Sequence, residues 1–162
     1  MSAENSPAAL LTVLSDREVV LTRVFNAPRA LVYRAHTDPD LIRQWWGLRS
    51  NTTIVEKIDV RPGGMWRFIQ RDAEGHEFVF YGEYREVILL ERLVNTFEFE
   101  GVPGHIILDT LIFEELPDGR TKLTATSLFE TIGDRDGILS SGMESGSNQA
   151  WDRLGELLAR LS

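Results

Sequence analysis

The sequence predicts an α+β domain in which a long C-terminal helix lies across a curved antiparallel sheet and helps enclose an apolar cavity. Three observations predict it. From about residue 53 to residue 129 apolar residues alternate with polar ones, and short turn sequences interrupt the pattern. Two short proline-led segments stand ahead of that region, at Ala27-Pro28 and Asp38-Pro39. From Leu139 onward the spacing changes to steps of three and four and holds to Leu161.

The elements follow in order. Residues 1–16 contain one short apolar stretch, Ala8 to Leu14, with no preceding positive charge and no clear small-residue cleavage site. They are expected to be a mobile leader or a short accessory helix, not a signal peptide. The folded domain is placed at residues 17–162. Arg17 to Phe25 is β-branched and strand-like. Pro28 opens a first helix at the position where its missing N–H costs nothing, with Leu31, Val32, Ala35 and His36 near one face. Asp38 caps a second, followed by Pro39, and that helix is expected to end in Trp45-Trp46 with Gly47 just past its C-terminus.

Strands are expected near 53–60, 64–72, 77–88, 92–99, 105–115 and 120–129. Pro62-Gly63-Gly64, Asp72-Ala73-Glu74-Gly75 and Pro117-Asp118-Gly119 carry the turn chemistry between them. Connections this short favour an antiparallel meander. The last helix is expected to start at an Asp134 or Asp136 cap. Its buried stripe would be Leu139, Met143, Gly146, Ala150, Leu154, Leu157 and Leu161. The small-residue run from Ser140 to Ser147 lets that helix approach the sheet closely or leave space beneath it.

Alternation assigns the sheet faces. Arg67 and Arg71 want water, so Trp66, Phe68 and Gln70 point inward. By the same logic Phe78, Phe80, Gly82 and Tyr84 face in, as do Leu93, Asn95, Phe97 and Phe99, and Leu123, Ala125 and Ser127. With Glu114 outward, Ile107, Asp109, Leu111 and Phe113 are inside, which sets one carboxylate in an apolar wall. Apolar walls with a few directing polar groups are the general form of a ligand site.

Composition narrows the partners. Hydrophobic residues make up 43% and charged residues 26%, the balance of a soluble globular protein. A net charge of −8 without a basic stripe disfavours nucleic acid and anionic membrane surfaces. No cysteine is present, so disulfides and thiolate chemistry are excluded, and a reducing cytoplasm is the expected location. No apolar run approaches the roughly 18 residues that span a bilayer.

Four stretches, taken together, resemble a known family: APRALVYRAHTDPDLIRQWWG, then RPGG with Trp66 and Phe68, then GEYREV followed by ERLVNTFEFE, then SGMESGSNQAWDRLGELL. In this order they are similar to the Aha-type family, the activators of the heat-shock protein 90 ATPase and their homologues. That family belongs to the START-like (Bet v-like, SRPBCC) helix-grip superfamily. The similarity spans about Val19 to Leu161. It implies a six- or seven-stranded sheet gripping a long C-terminal helix, with two small helices after the first strand. Superfamily members include lipid and hormone carriers, polyketide cyclases and aromatases, and chaperone co-factors, so the fold does not fix the function. Chaperone-activating members use an additional N-terminal domain, for which these residues leave no room, and chaperone activation is not carried over. No family-wide catalytic motif maps onto this chain.

No phosphate loop or nucleophile elbow occurs, and His36, His76 and His105 share no metal-ligand spacing, so neither a metal nor another cofactor is expected. Three functions remain. The leading one is binding of a small hydrophobic molecule, aromatic or polyketide-like. The expected wall is Trp45, Trp46, Trp66, Phe68, Gln70, Phe80, Phe97, Phe99, Asp109, Leu111, Ser127, Met143 and Gly146. The second is a cyclase, dehydratase or hydrolase using the same space, with Asp109 the one candidate acid or base. The third is a protein-interaction or stress-response module without ligand turnover. Under all three readings a monomer or homodimer is expected.

Overall fold

A computed structural model describes residues 10–162. Eight strands form one antiparallel sheet: β1 (Leu10–Val13), β2 (Glu18–Phe25), β3 (Thr52–Ile58), β4 (Met65–Arg71), β5 (Glu77–Ile88), β6 (Arg92–Phe99), β7 (Ile107–Glu115) and β8 (Thr121–Leu128). Their spatial order is β1-β2-β8-β7-β6-β5-β4-β3. The strands from β3 to β8 form the expected meander, and β2 closes onto β8 with Glu18 opposite Leu128 and Phe25 opposite Thr121. Two short helices, α1 (Arg29–Ala35) and α2 (Pro39–Ile42), follow β2, and α3 (Ile132–Ser140) and α4 (Met143–Leu161) end the chain. This is the α+β helix-grip fold.

Three expectations need correction. The leader is not a helix where it is described: Leu10–Val13 pairs with Val19–Thr22 and adds an eighth strand. Four residues with little burial carry no strong local signal, so only the open edge of β2 reveals the pairing. The remainder of that leader, residues 1–9, lies outside the described residues. Second, the C-terminal helix is two helices. Gly142 adopts φ +91, a left-handed conformation that breaks the helical path between α3 and α4. The first of the two is capped by Thr131, whose Oγ1 accepts the Asp134 N–H at 3.0 Å, and not by Asp134 or Asp136. Third, α2 stops at Ile42, and Gly47 ends a run of turns after it instead of the helix itself, with φ +92.

The strand faces agree with the alternation. On β2 every second residue, Val19, Leu21, Arg23 and Phe25, is buried. The outward Arg67 pairs with Glu56 at 2.6 Å and Glu100 at 2.9 Å. Gly82 is buried on the inner face of β5, where any Cβ would strike the Thr96 carbonyl oxygen. One part of the interior is close-packed: Phe25, Phe113 and Leu123 from the sheet meet Leu154, Leu157 and Leu158 from α4, all at 2% exposure or less. The buried stripe on α4 includes Trp151 and Leu158, which simple steps of three and four pass over, and Leu161 is 43% exposed at the helix end.

Candidate functional site

The rest of the interior is a cavity of about 870 Å³ between the sheet and the start of α4. Its size follows from what each side supplies. The sheet contributes large rings from β4, β5 and β6, whereas α4 contributes only Met143, Gly146, Ser147, Ala150 and Trp151. Small residues there cannot fill the space that the curved sheet leaves. The rings form a continuous cluster: Trp46 to Phe68 is 5.1 Å between centroids, Trp66 to Phe68 4.8 Å, Phe80 to Phe97 5.5 Å and Phe80 to Phe99 5.1 Å. Most meet edge-on or tilted, the arrangement ring quadrupoles favour.

The turn after α2 is fastened on two sides. Arg153 on α4 donates to the carbonyls of Gln44, Gly47 and Leu48 at 3.0–3.2 Å. From the sheet side, Gln70 Nε2 donates to the Trp46 carbonyl at 3.3 Å and to Thr53 Oγ1, whose hydroxyl in turn donates to the Trp46 carbonyl. Gly47 has no side chain because a Cβ there would collide with the Gln70 amide. Trp45 Nε1 donates to the Ala35 carbonyl at 2.9 Å and buries its ring beside His36. Trp46 is thereby left on the cavity wall, facing Phe68 and Phe80.

All thirteen residues expected at the wall line this one cavity, from Trp45 and Trp46 through to Met143 and Gly146. The wall also includes residues that sequence reasoning left out, among them Leu21, Tyr84, Asn95, Trp151 and His36. Asn95 and Tyr84 were already on the inner face, and His36 on the inward side of α1. The available signal was therefore periodicity, not any motif.

Two titratable groups on the wall are strongly perturbed. Burial pushes the Asp109 carboxyl up to about 6, against the opposing effect of a hydrogen bond from Ser127 Oγ to Oδ1 at 2.7 Å. Its partner is thus a hydroxyl, and no arginine or backbone amide neutralises it among the described residues. Burial pushes His36 down to about 4, so its ring is neutral at pH 7. Its Nδ1 lies 2.8 Å from the Val32 carbonyl, which can only accept, so the proton sits on Nδ1 and Nε2 is the acceptor. The two groups make the wall neutral on the helix side and negative on the β7 side. Among the described residues no three of His, Asp and Glu gather as a metal site, and no helix is long and apolar enough to cross a membrane.

Ile138 of α3 and Ser141, just past its C-terminus, also line the cavity. Polar ties hold this helix: His105 Nδ1 with Asp134 Oδ1 at 2.9 Å, and Arg135 Nη1 to the Ser15 carbonyl at 2.9 Å. No residue of α3 is buried.

Comparison with known proteins places the fold. A Rhodobacter sphaeroides protein of solved structure superposes with a TM-score of 0.89 at 22% identity, over 95% of this chain and 99% of its own. A Nitrosomonas europaea protein does so with a TM-score of 0.80 at 26% identity, over 91% and 97%. DynU16, a protein of the dynemicin biosynthetic locus, matches at 0.70 and 22%, over 90% of this chain and 48% of its own. No curated protein matches the sequence. Residues 26–159 match the family model described as activator of Hsp90 ATPase homolog 1-like protein, and the chain belongs to that family.

Proposed function

We propose that this protein binds a small hydrophobic molecule, aromatic or polyketide-like, in the cavity between the sheet and α4. The observation that carries this reading is the cavity itself: about 870 Å³, walled by eleven tryptophan, phenylalanine and tyrosine side chains and interrupted by a few polar groups. Plain core packing would fill such a space, because interiors pack to the density of organic crystals. A ligand present at one hundred times its dissociation constant stabilises the native state by about 2.7 kcal/mol. In a domain of this size that raises the melting temperature by roughly 5–10 °C. A thermal-shift screen of planar aromatics, flavonoids, polyketides and fatty acids is expected to give such shifts. Native mass spectrometry of freshly purified protein is expected to retain the ligand. Gly146→Phe, which fills the cavity from α4, should abolish the response in a protein that still melts cooperatively. A screen without stabilising compounds, together with an unliganded mass, overturns the proposal.

An enzymatic use of the same cavity rests on one observation, the raised Asp109, which can both hold and release a proton near pH 6. Turnover of a bound compound that ceases in Asp109→Asn separates this from simple carriage.

A further inference from the structure

The cavity contains one carboxylate and no counter-charge for it. Asp109 on β7 stands opposite Asn95 on β6 and Ser127 on β8, so three polar side chains cross an otherwise apolar wall in a single row. Ser127 satisfies one carboxylate oxygen, and among the described residues Oδ2 meets no donor. Asn95 turns its amide nitrogen to the Thr96 carbonyl at 3.0 Å, which leaves Oδ1 as a second acceptor beside Asp109. The other titratable groups on the wall are His36 after α1, which is neutral, and Tyr84 on β5; the wall residues of β2, β4, β8, α3 and α4 have no ionisable group. Arg23 and Arg153 do not line the cavity, and both are engaged elsewhere, Arg23 with Asp152 at 2.7 Å and Arg153 with the turn carbonyls. Asp109 is half-buried, and a carboxylate that faces an apolar wall is commonly paired with a cation of the same protein. Here the groups that share its cavity are aromatic rings, whose faces attract positive charge.

We propose that the cavity is selective for a hydrophobic organic cation, an aryl-alkyl ammonium whose charged head is held by Asp109 and Asn95 while its apolar body lies among the rings. This rests on reading the cavity as a ligand site and names the class of ligand. Two acceptors side by side match an N⁺–H group with several donors. A neutral alcohol engages them but leaves the charge uncompensated, and a carboxylate ligand is repelled.

Three compounds of one shape test this: 4-phenylbutylamine, 4-phenylbutanol and 4-phenylbutyrate, titrated calorimetrically into the protein at pH 7.5. The amine is expected to bind at least about tenfold more tightly than the alcohol, and the butyrate most weakly. In Asp109→Asn the preference for the amine should disappear while the alcohol still binds, which shows that the cavity is intact. The unmodified protein supplies a second measurement. Between pH 7.5 and pH 5 the amine stays charged while Asp109, which titrates at about 6, takes up its proton. Amine affinity should then fall roughly tenfold with the alcohol unchanged. Equal binding of amine and alcohol, or an amine preference that survives both Asp109→Asn and pH 5, overturns the cation assignment alone. If neither these probes nor the broader set of neutral compounds bind, the ligand-site reading fails and the cation assignment falls with it.

Discussion

The two halves of α4 face the same sheet and do opposite things. In the second half Leu154, Leu157 and Leu158 are buried against Phe25, Phe113 and Leu123, and Trp151 stands at the boundary, packed on Phe25 while it also lines the cavity. In the first half Met143, Gly146, Ser147 and Ala150 stand over the rings of β4, β5 and β6 across an open volume. The difference shows how one helix divides stability from binding: large side chains close the core at one end, and small ones keep it open at the other. The helix junction agrees with this division, since Gly142 breaks the path on the open side, next to α3, which has no buried residue.

The sharpest way to break this comparison is to make the same kind of truncation in both halves. Leu154 is fully buried in the close-packed half. Leu154→Ala removes three buried heavy atoms and leaves a void, so unfolding in denaturant should show a loss of about 2–5 kcal/mol. Met143 lies at the cavity wall and is only half-buried, so Met143→Ala should cost well under about 1 kcal/mol. Equal losses at the two positions would mean that the first half of α4 is packed as tightly as the second.

A smaller effect tests the electrostatics of the open half. His36 and Asp109 are both perturbed by burial, in opposite senses with respect to stability. His36 titrates near 4 in the folded protein and near 6.5 when free. The unfolded chain therefore holds more protons between those values, and stability falls as pH drops from 6.5 to 4. Asp109 titrates near 6 when folded against 3.8 when free, so the folded protein holds the extra proton and stability rises as pH drops from 6 to 4. The slopes amount to at most about 3 kcal/mol for Asp109 and about 3.5 kcal/mol for His36, since one pKa unit is 1.36 kcal/mol. The two should largely cancel, so that neither is visible in the unmodified protein's stability over that range. Asp109→Asn should unmask the histidine slope and lose stability steeply below pH 6. It should also be more stable than the unmodified protein at pH 7.5. His36→Phe should unmask the opposite slope. Denaturation midpoints of the three proteins at pH 4, 5, 6 and 7.5 check this, and parallel profiles would refute it.

Much of this arrangement was legible in the residues. Period-two alternation with two outward arginines is enough to turn Trp66, Phe68 and Gln70 inward, and Glu114 does the same for Asp109. These inferences are local, because a strand has only two faces and one of them must bury its side chains. The illegible parts depend on neighbours far away in sequence. Leu10–Val13 becomes a strand only because β2 offers an open edge. Gly142 breaks the C-terminal helix although the apolar spacing runs through it, since periodicity reports which face is apolar and not whether the backbone continues. His36 gave no sign of its neutrality, which comes from burial between Trp45 and Phe113 at centroid distances of 4.9 and 5.2 Å.

The smallest expected effect is also the most direct probe of the open half. Gly146 lies within α4 at ordinary helical geometry, and a Cβ there would meet only Leu48 Cδ2, at 3.6 Å. Nothing in the backbone requires a glycine. In a helix interior alanine is favoured over glycine by up to about 1 kcal/mol. Gly146→Ala should therefore raise the melting temperature by roughly 2–4 °C, given the usual sensitivity for a domain of this size. The added methyl group enters the cavity margin without filling it, so aromatic ligands should still bind, slightly more weakly. A gain in stability with a loss in affinity is the signature of a residue kept small for the cavity rather than for close packing. If Gly146→Ala instead destabilises the fold, the first half of α4 sits closer to the sheet than an open cavity allows, and the contrast between the two halves fails at this position.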